Sequence, residues 1–156
     1  MYQLIIQKAL VVDGTGEKAF TADIAVENDR IVAVQPNIQA SAKQTINAAG
    51  QILTPGFIDT QNHSDSYWQL FSNPTLESVL TQGFTTLLVG NSGASLAPLI
   101  SEDSLRSVQK WQPTSGLNVN WRSFGEYRTQ LANMNFGSNI ISLVGYSTIR
   151  RGLLGD

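Results

Sequence analysis

The stretch Leu53-Thr-Pro-Gly-Phe-Ile-Asp-Thr-Gln-Asn-His-Ser-Asp65 decides the fold of this chain. A Pro-Gly turn leads into a short apolar run, and the aromatic and β-branched residues of that run favour a buried strand. The strand ends in side chains that can bind a metal or move protons, including His63, the only histidine of the sequence. Such a cluster at the end of a parallel strand is typical of the active sites of α/β enzymes. The alternative is a strand that simply continues into a polar loop.

The sequence after this stretch repeats the order of strand, polar loop and helix. Apolar, β-branched runs at residues 84–89 and 139–144 predict two more strands that are covered on both faces. This repetition predicts parallel βα units. The helices are predicted over residues 73–83, around 102–111 and over 121–134.

Parallel neighbours would bring the three strand ends together. If the strands at 53–59, 85–90 and 139–145 are adjacent, the loops that follow them open on one face of the sheet. This convergence favours a functional site over a set of unrelated loops. The side chains that it would gather are Gln61, His63, Asp65, Asn91, Ser92, Tyr146 and Ser147.

Residues 1–52 have a different pattern, and we assign them to a separate N-terminal β domain that precedes an α/β domain over residues 53–156. Short apolar segments alternate with tight turns, which predicts a small antiparallel β unit. The Gly-x-Gly at 14–16 resembles a phosphate loop, but no helix follows it, so a hairpin turn is the better interpretation. Asn28-Asp29 tolerates the left-handed backbone that a second turn needs.

Composition excludes several classes of protein. The 156 residues are 42% hydrophobic and 14% charged with a formal net charge of -2, which predicts a folded domain without a nucleic-acid or anionic-membrane footprint. The absence of cysteine excludes disulfides, thiolate zinc sites and a cysteine nucleophile. We find no signal-peptide pattern and no apolar run of membrane-spanning length, so we expect a cytoplasmic protein.

Several motifs resemble those of the metal-dependent amidohydrolases. The segment Pro55–Asp65 is similar to the first barrel strand of that superfamily, which ends in Asp-x-His-x-His. Val89-Gly-Asn-Ser-Gly and Val144-Gly-Tyr-Ser-Thr-Ile-Arg-Arg151 resemble motifs of the N-acyl-D-amino-acid deacylase branch, Gly-Asn-Cys-Gly and Gly-His-Ser-x-Leu-Arg. The segments at 12–16 and 23–34 also match the N-terminal β domain of the family, so the resemblance spans essentially the whole chain.

The resemblance implies a fold and a function. The fold would be α/β, with the small antiparallel β domain followed by about three βα units of a TIM-type (β/α)₈ barrel, which in full needs roughly 250 residues. We therefore expect the chain to be the N-terminal part of a longer enzyme, whose incomplete barrel edge favours self-association. The implied function is hydrolysis of the amide bond of an N-acyl amino acid by water activated at zinc or another divalent metal. The catalytic aspartate would lie beyond residue 156, so we expect this fragment alone to be inactive.

The resemblance also assigns site residues, with departures. His63 is the candidate metal ligand, whereas Gln61 and Ser92 stand at ligand positions that hold histidine and cysteine in the deacylases. Tyr146 replaces a histidine close to the substrate. An amide or a hydroxyl is a weak zinc donor, so these substitutions weaken the expected metal site. We expect substrate contacts from Tyr146, Ser147, Arg150 and Asp65. A guanidinium can bind a carboxylate through two hydrogen bonds, but Arg150 could instead cap a helix or lie in solvent.

Other interpretations remain open. Loss of ligands at Gln61, Ser92 and Tyr146 fits a non-catalytic relative that keeps the fold for binding or assembly. Ser92 invites a serine-hydrolase reading, but the nucleophile elbow requires a glycine at the position of Ala94 and a helix directly after it. The chain could also be a complete small domain. Asp59 is expected to orient its loop, Asp65 to contact either the substrate or a neighbouring loop, and Trp68, Trp111 and Trp121 to serve in packing.

Overall fold

A computed structural model describes residues 1–109 and 118–155 of the chain. The chain divides into two compact units, Met1–Pro55 and Gly56–Asp156. Within the described residues, the longest helices have nine residues, and no helix combines the length and apolarity needed to cross a membrane.

The first unit is one five-stranded sheet. Strands β1 and β2 pair antiparallel, as do β2 and β3, which confirms the predicted hairpins. The sheet order is β3-β2-β1-β4, with β5 also paired to β1. The five strands are β1 (Tyr2–Val11), β2 (Phe20–Glu27), β3 (Arg30–Gln35), β4 (Ala42–Asn47) and β5 (Ile52–Leu53).

The last two strands make this sheet mixed, whereas the sequence predicted an antiparallel unit. Both β4 and β5 run parallel to β1. The reason lies in the connection after β3, which carries the chain across the sheet to Ser41, where the Ser41 carbonyl accepts a hydrogen bond from the Tyr2 amide. Entering beside the start of β1, the next strand must run in the same direction as β1.

The predicted turns of this unit are present. Gly14 and Gly16 have φ of 81° and 90°, and Asp13 Oδ1 accepts a hydrogen bond from the Thr15 amide, so the Gly-x-Gly segment is a side-chain-supported turn. Asn28 and Asp29 have φ of 50° and 59°, as a tight turn between β2 and β3 requires.

A buried carboxylate organises the first unit. Asp23 is 4% exposed, and its two oxygens accept hydrogen bonds from the Lys8 amide at 2.8 Å and the Ile38 amide at 3.0 Å. Lys8 has a φ of 59° at an irregularity in β1 between Ile6 and Ala9. Asp23 therefore ties the bulged strand to the connection that leads into β4.

The second unit confirms the predicted parallel βα organisation. Strands β6 (Phe57–Asp59), β7 (Phe84–Val89) and β8 (Asn139–Ser142) form a parallel sheet in the order β6-β7-β8. Within the described residues, these three parallel strands with their helices do not close into a barrel.

The helices are shorter than the sequence predicted. The helix expected over 73–83 is reduced to one turn because Leu76, with a left-handed φ of 50°, is buried in the core and delays the start of the helix. The prediction around 102–111 extends beyond the described residues, and its described part is a 3₁₀ turn followed by one helical turn. The helices are α1 (Gln69–Ser72), α2 (Glu77–Leu80), the 3₁₀ turn (Glu102–Leu105), α3 (Arg106–Gln109), α4 (Phe124–Ala132) and α5 (Tyr146–Leu154).

An aromatic and aliphatic core supports the sheet of the second unit. Leu87 and Val89 of β7 are completely buried, and burial of such a side chain contributes about 1.5–3 kcal/mol. Trp121 stacks on Phe71 with ring centroids 5.4 Å apart and donates its indole N–H to the Leu96 carbonyl at 2.6 Å. Trp68 and Trp121 are thus packing residues, as predicted, whereas Trp111 lies outside the described residues.

Removal of the Asp23 carboxylate is expected to destabilise the first unit. In Asp23→Ala, two backbone donors lose a buried acceptor, which should lower the free energy of unfolding by about 2–4 kcal/mol. Urea denaturation followed by far-ultraviolet circular dichroism measures the change. The control is Asp13→Ala, because Asp13 also accepts a backbone hydrogen bond but is exposed. Equal shifts for the two variants would show that Asp23 does not carry this role.

Candidate functional site

Asp59 shapes the loop that follows the first strand of the parallel sheet. Its Oδ1 accepts a hydrogen bond from the Gln61 amide at 3.0 Å, and its Oδ2 accepts one from the Asn62 side-chain amide at 2.8 Å. Asn62 Oδ1 in turn accepts from the Ser64 amide at 2.9 Å. Both carboxylate oxygens are therefore engaged by the loop itself, and Asp59 has the orienting role that the sequence predicted.

Asp65 joins this loop to the next one. The side chain is fully buried, and its oxygens accept hydrogen bonds from the Ser66 amide at 2.8 Å and from the Gly90 amide at 2.9 Å. Burial raises the pKa of the Asp65 carboxyl, while the two amides and His63 act in the opposite direction. Of the two roles expected for Asp65, the structure shows contact with a neighbouring loop.

The negative charge of Asp65 lies close to the aromatic core. Burial, together with this charge, raises the pKa of the Tyr127 hydroxyl above its usual range. Tyr127 is fully buried in α4 and packs against Trp121, with ring centroids 5.2 Å apart. Asp65 is thus on the buried side of the strand-end loops, whereas Gln61 and Ser92 of the same loops are exposed.

The loop after β7 needs unusual backbone angles. Gly90, Ser92 and Gly93 have φ of 80°, 57° and 76°. This left-handed conformation is strained at Ser92, because Ser92 has a side chain. Asn91 donates its side-chain amide to the Leu88 carbonyl at 2.6 Å and to the Asn62 carbonyl at 3.2 Å. The second contact reaches across to the loop after β6.

The surroundings of Ser92 disfavour the serine-hydrolase interpretation. The hydroxyl is exposed, but no helix starts directly after it. The chain instead continues through Ala94–Ala97, which is buried without regular secondary structure. A nucleophile elbow places its serine at a strand-to-helix turn, which is not found here.

The third strand end is bonded to the second. Ser95 Oγ accepts a hydrogen bond from the Gly145 amide at 2.9 Å, and Thr148 Oγ1 accepts one from the Ser95 amide at 2.9 Å. The Gly93 carbonyl accepts from the Ser147 amide at 2.8 Å and from the Thr148 amide at 3.3 Å. These contacts fix the start of α5, a helix that the sequence analysis did not predict.

The structure brings together the three strand ends that were predicted to converge, through the hydrogen bonds just described. Around them, His63 is half-buried and the Tyr146 side chain is 73% exposed. The cavity of about 520 Å³ in the second unit lies elsewhere, between α4 and β8. The exposed members of the predicted set are Gln61, Ser92, Tyr146 and Arg150, and Asn91 and Ser147 are half-buried.

Among residues 1–109 and 118–155, the donors do not form a metal site. No group of three or more histidine, aspartate or glutamate side chains is placed to hold an ion. Asp59 and Asp65 direct their oxygens at backbone and amide donors, and Gln61 and Ser92 supply only an amide and a hydroxyl. His63 is the one strong zinc donor among the predicted ligands.

The sequence analysis placed Asn91 at the strand ends, but it did not predict the contacts by which four side chains connect the loops. Asn62, Asn91, Ser95 and Thr148 each bridge segments that are far apart in the chain or cross a turn. Asn62 and Asn91 each follow an apolar strand within three residues, a pattern that occurs in many loops without such a role. Ser95 and Thr148 lie farther from a strand end and have no such signal.

Comparisons with known proteins agree with this architecture. No protein-family model matches the chain. It is 35% identical over 152 residues to an N-acyl-D-aspartate deacylase of Alcaligenes xylosoxydans xylosoxydans, a match that covers 97% of this chain and 30% of the relative. The chain thus spans about a third of the length of the curated relatives it matches.

Two solved structures are also similar. A D-aminoacylase studied for its binuclear metal centre superposes with a TM-score of 0.87 and 31% identity, over 100% of this chain and 32% of that one. An N-acyl-D-glutamate deacylase from Bordetella bronchiseptica, in complex with zinc and a phosphonate inhibitor, has a TM-score of 0.81 and 28% identity over 99% of this chain and 32% of that one.

A methyl group at Gly90 is expected to disrupt the strand ends. The Cβ of Gly90→Ala would lie 2.5 Å from the Leu143 carbonyl oxygen, and the φ of 80° is strained for alanine. We expect a loss of about 2–5 kcal/mol in the free energy of unfolding, measured by urea denaturation with tryptophan fluorescence. Gly125→Ala in α4 is the control, since its Cβ meets nothing closer than 3.8 Å and helix propensity favours alanine by up to about 1 kcal/mol.

Restoring the two substituted donors is expected to create metal affinity. Gln61→His with Ser92→Cys should raise zinc affinity at least about tenfold over the parent in isothermal titration calorimetry, because imidazole and thiolate are strong zinc donors. The control introduces the same residue types at exposed sites in different units, Gln35→His with Ser78→Cys. Equal affinities in all three proteins would show that positions 61 and 92 do not face a common site.

Proposed function

Because the chain is a homologue of the N-acyl-D-amino-acid deacylases in the amidohydrolase superfamily and covers about 30% of their length, we propose that this protein is an amidohydrolase that cleaves the amide bond of N-acyl amino acids. The observation that carries the proposal is the match to D-aminoacylase along 100% of the chain, with a TM-score of 0.87. The three connected strand ends support it, because this is the face on which α/β barrels build their active sites.

The start of α5 is our proposed contact surface for the substrate carboxylate. The Ser147 and Thr148 amides already donate to the Gly93 carbonyl, so side chains must provide the contact. Tyr146 and Arg150 are four residues apart in α5 and lie on the same helix face. A guanidinium binds a carboxylate through two parallel hydrogen bonds, which suits Arg150 to this task, with Ser147 beside it. We leave Asp65 out of this set, because it is buried and bonded to the Gly90 amide.

The substrate is proposed to be an N-acyl amino acid of D configuration. The relatives compared above are an N-acyl-D-aspartate deacylase, an N-acyl-D-glutamate deacylase and a D-aminoacylase, whose names all specify the D configuration. The charged Arg150 suits any such substrate, because all of them carry an α-carboxylate. The preferred side chain of the substrate is determined by the assay described below.

We propose that zinc or another divalent ion takes part and that His63 is one of its ligands. The chemistry that such an ion supplies is Lewis-acid activation of the amide and of water. The described residues do not complete a site for the ion. The other ligands and the proton-transferring aspartate are proposed to lie in the part of the relatives' length that this chain does not span. A metal in this protein is supported by the binuclear metal centre of the D-aminoacylase and by the zinc bound to the N-acyl-D-glutamate deacylase.

A non-catalytic role in binding or assembly is the second candidate. The observation that favours it is the pair of exposed, weakly coordinating side chains Gln61 and Ser92 at ligand positions of the deacylases. Under this proposal the protein keeps the fold and binds an N-acyl amino acid without turnover. Self-association through the open edge of the parallel sheet and a cytoplasmic location are further proposals, both from the sequence.

The assay of the full-length protein separates the two candidates. With added zinc, we expect hydrolysis of N-acetyl-D-amino acids, detected as released acetate across acidic and apolar side chains, and much slower hydrolysis of the L enantiomers. Binding of the same compounds in calorimetry without any turnover would favour the non-catalytic candidate. If the protein shows no turnover and no binding with any compound of the panel, the deacylase proposal is refuted.

The role of Arg150 has its own test. Arg150→Gln should lower kcat/KM by roughly 10–100-fold, mainly by raising KM, because a charge-assisted contact to the substrate is lost. The matched control is Arg128→Gln, since Arg128 is an exposed arginine on α4 that lines the cavity between α4 and β8 and is not part of the proposed site. An unchanged KM in Arg150→Gln would assign the carboxylate contact to another residue.

A further inference from the structure

Two loops of the candidate site are joined by hydrogen bonds between protein groups. The loop after β6 donates the Asn62 amide to the Leu88 carbonyl at 3.1 Å. The loop after β7 returns the contact, since the Asn91 side chain donates to the Asn62 carbonyl at 3.2 Å. The Gly90 amide adds a third bond, to Asp65 Oδ2 at 2.9 Å. We call these three hydrogen bonds the loop clasp.

The residues of the loop clasp flank His63 and Ser92 in the sequence. Asn62 and Asp65 flank His63 in one loop, and Asn91 directly precedes Ser92 in the other. Asp65 and Gly90 are buried, so their hydrogen bond is shielded from water, and its acceptor is an ionisable carboxylate. The flanking bonds therefore limit how far His63 and Ser92 can move apart.

The residues at positions 61 and 92 bear on what holds the two loops together. A metal ion bound between the two loops would itself cross-link them, yet positions 61 and 92 carry an amide and a hydroxyl, which are weak ligands. We propose that Asn91 and Asp65 are positioning residues, which hold the His63 loop against the Ser92 loop without a metal ion between them. These hydrogen bonds hold the two loops together whether or not the protein has the proposed deacylase activity.

Hydrogen–deuterium exchange of the full-length protein tests the proposal. In Asn91→Ala, we expect faster exchange in peptides from both loops, residues 57–68 and 84–96, because a bond between them is lost. Removal of metal by a chelator should accelerate these peptides much less than the variant does. The matched control is Asn139→Ala, since the Asn139 side chain also donates to a backbone carbonyl, that of Thr85, but lies at the start of β8.

A spectroscopic experiment measures positioning directly. In the Gln61→His, Ser92→Cys background, titration with Co²⁺ reports thiolate coordination by a ligand-to-metal absorption band. Adding Asn91→Ala should weaken Co²⁺ binding about tenfold or more, as loss of groups that orient ligands usually does. Adding Asn139→Ala should leave the affinity unchanged. A residue that serves only in folding would change stability without this specific effect on affinity.

Asp65→Asn provides a second variant in case Asn91→Ala does not fold. The substitution keeps the side-chain volume but turns an N–H group toward one of the two backbone donors, Ser66 or Gly90. It should likewise accelerate exchange in both loops, and its effect should not add to that of Asn91→Ala, because neighbours in one network are coupled. Exchange confined to the loop of the mutated residue would overturn the proposal. Acceleration of both loops by the chelator alone would overturn it as well.

Discussion

The backbone at Gly90 must meet three conditions at once, and the second unit depends on them. Its φ of 80° turns the chain at the end of β7, its amide donates to the buried Asp65 carboxylate, and a Cβ there would lie 2.5 Å from the Leu143 carbonyl. Each condition involves a different strand end. Only a residue without a side chain satisfies all three, because any Cβ would separate β7 from β8.

The buried carboxylate beside Gly90 explains how a charge is accommodated under the strand ends. Removing a carboxylate from water is costly unless hydrogen bonds replace the lost solvation. Two backbone amides provide them, and these amides also fix the positions of the loops after β6 and β7. From there, Ser95 and Thr148 extend the connection to α5, so the helix face that carries Tyr146 and Arg150 depends on the same network.

Much of the parallel unit could be predicted from local pattern. The three strands were found because continuous apolar, β-branched runs suit strands. The prediction that they are covered was wrong for β6 and β8, where Phe57, Ile58 and Ile141 are 52%, 62% and 51% exposed. Helix limits were less predictable, since Leu76 packs into the core and delays α2, while α5 contains Gly152 and starts with polar residues. The direction of β4 was also missed, because strand direction depends on the path of the connecting chain and not on the pattern of the strand.

By itself, the sequence determined the order of the two structural patterns, the three parallel strands, the family resemblance and the departures at Gln61, Ser92 and Tyr146. These features depend on residue type and spacing, which the sequence states directly. Only the tertiary structure decided that Asp65 faces Gly90, that Asn91 reaches the Asn62 carbonyl, and that the described residues do not complete a metal site. The physical reason is that hydrogen bonds between loops join residues about 25 to 50 positions apart, and their geometry exists only once the strands are packed side by side.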